Sequence, residues 1–519
     1  MKRKTLTSSG TRRTGIVFGT AAMALVLAGC ASVATQPLTA AEVQIQAQRD
    51  RLESQRGVEP IPAVIGLEEA IARGLKYNLE RRTRMMEEAI AFRQFEASRY
   101  DMLPKLVAAA GYSSRSEFAT TRAVDSVTGK PSLANPFISS DKSHGTVDLG
   151  LSWNVLDFGL SYYGARQNAD RALIAVERRR KAMHNLIQDV RTAFWRAASA
   201  QKLRKEVKDV IALAEEGLAD SRKAENERLR SPIDALRYQR QLLENLRLLE
   251  TIEQELSTAR LELASLINAP LAVELKVAEP AQGLSARILS VPLDTMEEVA
   301  IAGNADLREQ FYNTRIATEE TRKILLRMFP GLSLGYSIKR NDDQYLIHNQ
   351  WNEAGAQLSL NLLNLLSLPT QSRLAEAGVA LADQRRMAAQ MAVLAQVHIA
   401  RLHFSNALQQ YQRSADIAAV DERLEGHMAN RELASASSKL ERVSSRTAAI
   451  VSQLRSYQAQ AQAHAAASKL QASLGMEPDI GSVQDMSLPE LQAVVGRAIT
   501  KWENGELAAP AAPKREAQP

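Results

Sequence analysis

Two segments of the chain alternate apolar and polar residues with a period of two. Residues 146–155 place five apolar residues against five polar ones: Val147, Leu149, Leu151, Trp153 and Val155 against Thr146, Asp148, Gly150, Ser152 and Asn154. Residues 356–362 repeat the pattern: Ala356, Leu358, Leu360 and Leu362 against Gln357, Ser359 and Asn361. Such alternation predicts β-strands with one apolar and one polar face. Further strands are predicted just upstream, over 106–113 and 332–339.

Long stretches with apolar residues at helical spacing predict two pairs of very long helices. The first pair spans about 161–228 and 232–267, and the second about 374–424 and 433–474. At ~1.5 Å per residue, a helix of roughly 65 residues reaches about 100 Å. Helices of this length need neighbours along their whole course, as in coiled coils. The alanines of 459–467 would allow close packing.

Short matches between the two halves predict a duplicated unit. Four pairs of segments match in the same order: 67–70 with 296–299, 102–104 with 328–330, 111–112 with 335–336, and 151–157 with 358–364. Each unit of roughly 200 residues reads as helix, strand, polar loop, strand and two long helices. The predicted repeats are 64–268 and 296–476, joined by a linker over 269–295, and followed by an equatorial segment and a disordered tail over 477–519.

The first thirty residues have the three parts of a secretory signal. Five basic residues precede the apolar stretch 16–28, which ends in Leu27-Ala28-Gly29-Cys30. These four residues resemble the lipobox of bacterial lipoproteins. The resemblance implies a signal peptide over 1–29, lipid attachment at Cys30 and a lipid-anchored segment over 30–63. Ala31 and Ser32 favour the outer membrane, since no aspartate follows the cysteine.

Removing the signal changes what the net charge implies. The chain has 65 basic and 59 acidic residues, a net of +6, and five of the basic residues lie in 1–29, which holds no acidic residue. The remaining 60 basic and 59 acidic residues give a net of +1. Bulk charge therefore gives no support to a nucleic-acid partner.

The predicted strands have the length and two-sided pattern of membrane strands, although an ordinary soluble sheet remains the alternative. About nine to eleven tilted residues cross a bilayer as a strand, with an apolar face to lipid and a polar face to water. Two repeats give four strands, and the smallest outer-membrane barrels have about eight. Two copies would make a barrel of eight strands, and side chains would fill its bore. Three copies would make twelve strands and leave room for a passage.

The order of these elements resembles the TolC family of outer-membrane efflux proteins, especially its lipid-anchored, OprM-like members. The matching segments, within about 64–476, are Leu67–Arg73 with Asn78-Leu79, Leu103–Leu106, Leu151–Gly159 and Ser231–Leu236. The resemblance implies a mainly α fold with a transmembrane β-barrel: a homotrimer with a twelve-stranded barrel and a long periplasmic α-helical barrel. It also implies a passive conduit that docks to a periplasmic adaptor protein and an inner-membrane efflux pump.

Two groups of functional residues follow from this interpretation. The pore-lining strand residues would be Asp148, Ser152, Asn154, Gln357, Ser359 and Asn361. The helix tips would form the periplasmic end and contact the adaptor through Leu229, Arg230, Ser231, Pro232, Asp234, Arg431, Glu432 and Ser435.

The sequence offers no motif for an enzyme, a cofactor or a metal. The seven histidines are scattered, and there is no HExxH, phosphate-binding glycine loop or G-x-S-x-G element. The charged run 177–181 is expected on a solvated helix face. The competing interpretations are a lipoprotein scaffold of periplasmic coiled coils, which has no need of amphipathic strands, and an enzyme with an unrecognised site. The exported substrate and the class of pump are not encoded in any recognisable motif.

Overall fold

The structure is a computed structural model that describes residues 36–122, 124–131, 136–227, 232–278, 284–433, 439–476, 483 and 485–507. The predicted signal peptide, Cys30 and the tail from 508 lie outside these residues. The chain divides into two compact units, Met1–Glu59 and Pro60–Pro519. The first unit contains helix α1 (Ala40–Ser54), which begins with a capping box between Thr39 and Glu42 and has no buried residue.

The second unit contains the two predicted repeats. The first consists of α2 (Leu67–Tyr77), α3 (Leu79–Tyr100), β1 (Lys105–Ser114), β2 (Ala119–Thr121), β3 (Phe137–Ser140), β4 (Ser143–Asn154), α4 (Val155–Asn226) and α5 (Pro232–Leu266). The second consists of α6 (Leu293–Gly303), α7 (Ala305–Leu326), β5 (Gly331–Asn341), β6 (Gln350–Ser359), α8 (Leu362–Leu433) and α9 (Lys439–Ser473). A 3-10 turn (Arg287–Ser290) precedes α6, and α10 (Leu488–Glu503) follows α9.

The long helices confirm the duplication. Helices α4 and α8 each have 72 residues, and α5 and α9 each have 35. Four predicted boundaries were wrong: α4 begins at Val155 rather than near 161, α8 spans Leu362–Leu433 rather than about 374–424, and α9 begins at Lys439 rather than near 433. Helix α8 runs on through Pro369, which lies in its second turn. No helix in the described ranges combines the length and apolarity needed to span a bilayer.

Each repeat opens with two helices rather than one, and an asparagine separates them. Asn304 accepts hydrogen bonds from the backbone N–H groups of Asp306 (3.0 Å) and Leu307 (3.2 Å), and its Nδ2 donates to the carbonyl of Ser473 (3.0 Å). In the first repeat, Asn78 caps α3 and donates to the carbonyl of Leu266 at 3.0 Å. Each asparagine thus starts one helix and joins it to the end of the returning long helix.

The core between the long helices is aliphatic and continuous. Leucine, isoleucine, valine and alanine side chains of α4, α5 and α9 pack into one buried cluster that includes Leu203, Val207, Leu242, Leu249 and Ile450. The alanines of 459–467 allow the predicted close approach, since Ala461, Ala463 and Ala467 are buried. Burial of apolar area along these helices is the main stabilising contribution of this region.

The charged run 177–181 is only partly solvated, contrary to the prediction. Glu177 is 3% exposed and accepts hydrogen bonds from Arg180 (2.5 Å) and Arg308 (2.6 Å). Arg178 and Lys181 are solvent-exposed and pair with Glu309 and Asp306 on α7. A buried carboxylate needs such donors, so the run connects the two repeats instead of forming a purely solvated face.

Among the described residues, the strands form an antiparallel sheet in the order β1-β4-β5-β6, and β2 and β3 form a separate hairpin. Leu149 pairs with Ala108 of β1 and with Ile338 of β5. Strands β5 and β6 pair from Gly331–Ser359 to Arg340–Gln350. Strands β1 and β6 are the outer edges, each hydrogen-bonded to one neighbour within the described part of the chain.

Candidate functional surfaces

The polar face of the sheet gathers five of the six residues predicted to line a pore. Residues directly opposite each other on antiparallel strands share a face. Asp148, Ser152 and Asn154 pair with Lys339, Gly335 and Ser333, and Gln357 and Ser359 pair with Ser333 and Gly331. Asn154 Nδ2 also donates to Ser333 Oγ at 2.9 Å. The sheet therefore presents these polar groups as one continuous surface.

Asn361 is the exception, because β6 ends at Ser359. Its Oδ1 accepts a hydrogen bond from Leu363 N at 3.1 Å at the start of α8. Asn154 has a similar role at the start of α4, where its Oδ1 accepts from Leu156 N (2.9 Å) and Asp157 N (3.0 Å). Alternation alone cannot distinguish a strand position from a cap at a strand-to-helix junction, so the prediction placed Asn361 on a strand that has already ended.

Three charged residues lie close together on the polar face, and the sequence predicted only Asp148 of the three as a pore-lining residue. Lys339 Nζ donates to Glu353 Oε2 at 2.6 Å, and Asp148 lies directly opposite Lys339. Glu353 was missed because the predicted second strand began at Ala356. Extending the alternation two periods upstream from Gln357, through Gly355, places Glu353 on the same face.

The opposite face of the sheet is apolar and exposed. Its members include Leu106 (66% exposed), Leu358 (69%) and Tyr336 (46%). Aromatic residues collect where the strands meet the helices: Trp153 and Phe158 contact edge to face at 5.7 Å, and Tyr100 and Phe329, just before β1 and β5, are exposed. An apolar surface of this extent is unusual for a soluble domain and indicates that something apolar covers it.

The loops of the two repeats join at the far end of the sheet, through residues that the sequence did not identify. Asp343 accepts hydrogen bonds from Ser140 Oγ (2.5 Å), from the backbone N–H of Asp141 (3.1 Å) and from that of Tyr345 (3.0 Å). The pKa of Asp343 is lowered from its ordinary value, mainly by the hydrogen bond that Ser140 donates. The backbone N–H of Gly145 donates to Asp342 Oδ1. These contacts hold the polar loop of the first repeat against that of the second.

The predicted helix-tip residues are only partly described. Leu229, Arg230, Ser231 and Ser435 lie outside the described residues, as does the side chain of Glu432. Pro232 is the first residue of α5, and Asp234 lies in its first turn. Pro232, Asp234 and Arg431, near the end of α8, are exposed. The structure thus locates these three residues at helix ends, and their predicted contact with an adaptor remains a prediction.

Within the described ranges, no group of three or more His, Cys, Asp or Glu residues is arranged to hold a metal ion. Two of the histidines have packing or pairing roles: His464 stacks on Trp195 with ring centroids 4.4 Å apart, and His398 pairs with Glu297 at 2.6 Å.

Comparison with solved structures identifies the fold. The outer-membrane channel OprN matches at a TM-score of 0.61 and 15% identity, over 79% of this chain and 90% of that chain. The Campylobacter jejuni CmeC outer membrane channel matches at 0.62 and 12% identity, over 85% and 89%. The chain has the outer-membrane channel fold. The open state of the Neisseria gonorrhoeae MtrE outer membrane channel also matches, at 0.58 and 18% identity, over 81% and 93%.

No protein-family model and no curated protein matches the sequence. The single-chain fold implied by the resemblance to the TolC family is confirmed by the structural matches. At identities of 12–18%, the matches establish the architecture of the single chain, and what it does is a separate inference.

Proposed function

We propose that this chain is one protomer of a homotrimeric outer-membrane efflux channel of the TolC family. The observation that carries the proposal is the four-stranded sheet, with two open edges and an exposed apolar face. Unpaired strand edges are not stable in the hydrocarbon of a bilayer, so the sheet must be closed by further copies. Three copies supply twelve strands, enough to surround a water-filled bore lined by the polar face.

The exposed apolar residues of α8 support association between copies. They recur at helical spacing and are 49–62% exposed: Leu374, Leu381, Ile399, Leu402, Ile417, Val420 and Leu424. A stripe of this kind on a helix of 72 residues needs a neighbour along its length. The neighbour that we propose is a long helix of the next protomer, which would extend the bore as a helical barrel.

The aromatic residues at the helix-proximal end of the sheet support an orientation in the membrane. Outer-membrane strands carry aromatic girdles at the lipid–water boundaries. Trp153, Phe158, Tyr100 and Phe329 would form the periplasmic girdle, and the loops held by Asp342 and Asp343 would lie on the cell exterior. In this orientation, the long helices extend into the periplasm.

We propose passive conduction, with energy supplied by partners. The exposed ends of α5 and α8, with Pro232, Asp234 and Arg431, would contact a periplasmic adaptor that links the channel to an inner-membrane efflux pump. Lipid on Cys30 would assist sorting to the outer membrane. Labelling with palmitate should modify the wild-type protein and leave Cys30→Ala unlabelled.

Two measurements on the purified full-length protein test the channel proposal. Mass measurement in mild detergent should give a trimer, and planar bilayers should show stepwise conductance. A monomer without conductance would contradict the proposal and would favour the scaffold interpretation.

A further inference from the structure

A small cavity lies among helices of both repeats and α10. Its volume is about 20 Å³, room for one water-sized species. Residues of α2, α4, α9 and α10 line it, with Ile71, Ile187, Val495 and Ile499 among the apolar ones. The polar lining residues are His184, Arg191, Ser468 and Gln471.

Arg191 is the cation of this cavity, and it is 4% exposed. Its Nη1 donates to Ser468 Oγ at 2.8 Å. No carboxylate in the described part of the chain forms an ion pair with it within 4.0 Å. An arginine keeps its proton in proteins, and a buried charge without a paired counter-ion is destabilising.

Of three unpartnered polar atoms that the structure describes around Arg191, two can only donate a hydrogen bond. Among the described residues, Arg191 Nε, Trp195 Nε1 and His464 Nε2 are buried without a hydrogen-bond partner. Trp195 lies one turn after Arg191 on α4, and His464 lies one turn before Ser468 on α9. The arginine and tryptophan atoms can only donate. The region therefore favours an acceptor over a further donor.

Two carboxylates act on Arg191 without forming an ion pair with it. Burial lowers the pKa of Arg191, and the charges of Glu503 and then Glu68 oppose this effect. The pKa of His464 is lowered to about 3, mainly by burial and secondly by the charge of Arg191. The pKa of His184 is lowered to about 4, mainly by burial and secondly by the charge of Arg180. Both imidazoles are therefore neutral near pH 7, and each can donate one N–H and accept at its other nitrogen.

We infer that the Arg191 cavity is a binding site for a monatomic anion, with chloride as the physiological occupant. The volume excludes phosphate and carboxylates, which need space for several heavy atoms. A water molecule would accept from these donors but would give the guanidinium no direct counter-ion. The anion would stabilise the packing of α10 against the two repeats, apart from any role in conduction.

Crystals grown in bromide in place of chloride give the direct test. Anomalous diffraction at the bromine edge should show a peak in the cavity, at hydrogen-bonding distance from a guanidinium nitrogen of Arg191. An ordered oxygen at that position without anomalous signal, or bromide found only at the protein surface, would overturn the inference. Trimer formation and conductance are measured separately, so failure here is distinguishable from failure of the channel proposal.

Stability measurements give an independent test with matched variants. At equal ionic strength, the thermal midpoint of the wild-type protein should be higher in chloride or bromide than in gluconate. A halide at about 100 times its Kd raises the folded-to-unfolded ratio about 100-fold. Arg191→Met should lose this dependence, whereas Arg178→Met, at an exposed arginine, should keep it. Equal midpoints of the wild-type protein in all three salts would contradict the site, and this result does not depend on the folding of Arg191→Met.

Discussion

The asparagine at the α6–α7 break is expected to be among the most important polar residues for stability. Asn304 is 4% exposed and makes three hydrogen bonds, two as the cap of α7 and one to the carbonyl of Ser473. Asn304→Ala removes the cap and leaves that carbonyl without its side-chain donor. Asn78 is half-buried and makes one capping bond and one bond to the carbonyl of Leu266.

The size of the effect follows from these contacts. Loss of a helix cap costs about 1 kcal/mol, and a buried carbonyl deprived of its partner costs about 1–3 kcal/mol. Asn304→Ala should therefore lower the free energy of unfolding by about 2–4 kcal/mol. Asn78→Ala should cost about 1–2 kcal/mol, since its site is more accessible to water. Asn304→Asp keeps the capping oxygen but places a carboxylate oxygen against the carbonyl of Ser473 in a buried site, so it should destabilise the protein at least as much as Asn304→Ala.

Guanidinium unfolding in detergent, followed by circular dichroism, measures these differences. All variants must be compared at one protein concentration, because assembly contributes to apparent stability. A loss below about 0.5 kcal/mol for Asn304→Ala would show that these hydrogen bonds contribute little, since surface substitutions commonly have effects of that size. An equal or larger loss for Asn78→Ala would refute the reasoning.

Three further predictions concern pH, backbone conformation and docking. The pKa of His464 is about 3 in the folded state and near 6.5 in the unfolded state, so only the unfolded state gains a proton as the pH falls below about 6.5. The free energy of unfolding should therefore be highest above about pH 6.5 and fall by up to about 1.4 kcal/mol per pH unit below it. The thermal midpoint should depend less on pH in His464→Gln than in the wild-type protein, and as much as in the wild-type protein in the exposed control His427→Gln. Gly475 has φ +66, and a Cβ added there would meet the backbone of Gly303, so Gly475→Ala should lower the free energy of unfolding by at least about 2 kcal/mol in guanidinium. Gly378→Ala should be neutral or stabilising, because a Cβ added at this helical position would lie in open space. Ser231→Trp should abolish export in cells and leave the trimer intact; full export by this variant would contradict the tip assignment.

The elements of this fold that could be predicted from sequence are those whose signal is local. The alternation of 146–155 located β4, and the matching order of segments in the two halves located β5 and β6. Strand ends were less predictable because Asn154 and Asn361 fit a polar strand position as well as a helix cap. The helix breaks at Asn78 and Asn304 were missed because the flanking residues favour helix, and the carbonyls that stabilise each break lie about 170–190 positions away.

Burial of charge was the least predictable property. Glu177 lies in a run of charged residues, and its burial depends on Arg308 in the other repeat. Arg191 looks like any other basic residue of a long helix, and only the packing of α2, α9 and α10 around it excludes water. Such contacts join distant parts of the chain, so residue type and local period do not contain them.

The proposed trimer requires that the outer strands of three copies pair to close one sheet. Ala108 of β1 and Ala354 of β6 lie on the same face, because each pairs along the sheet with apolar-face residues of β4 or β5. Cys30 is the one cysteine of the sequence and is proposed to carry lipid, so it should not form disulfides with engineered cysteines. Cysteines directly opposite on neighbouring strands are close enough to be tested for disulfide formation.

The decisive measurement is oxidation of Ala108→Cys combined in turn with Asn352→Cys, Ala354→Cys or Ala356→Cys, followed by a denaturing gel. One of these pairs should give covalent dimers and trimers, with no larger species, because three copies close a ring. Ala108→Cys with Gly355→Cys, on the opposite face, is the control and should remain monomeric. Monomers for every pair, or a ladder that continues beyond the trimer, would contradict the account.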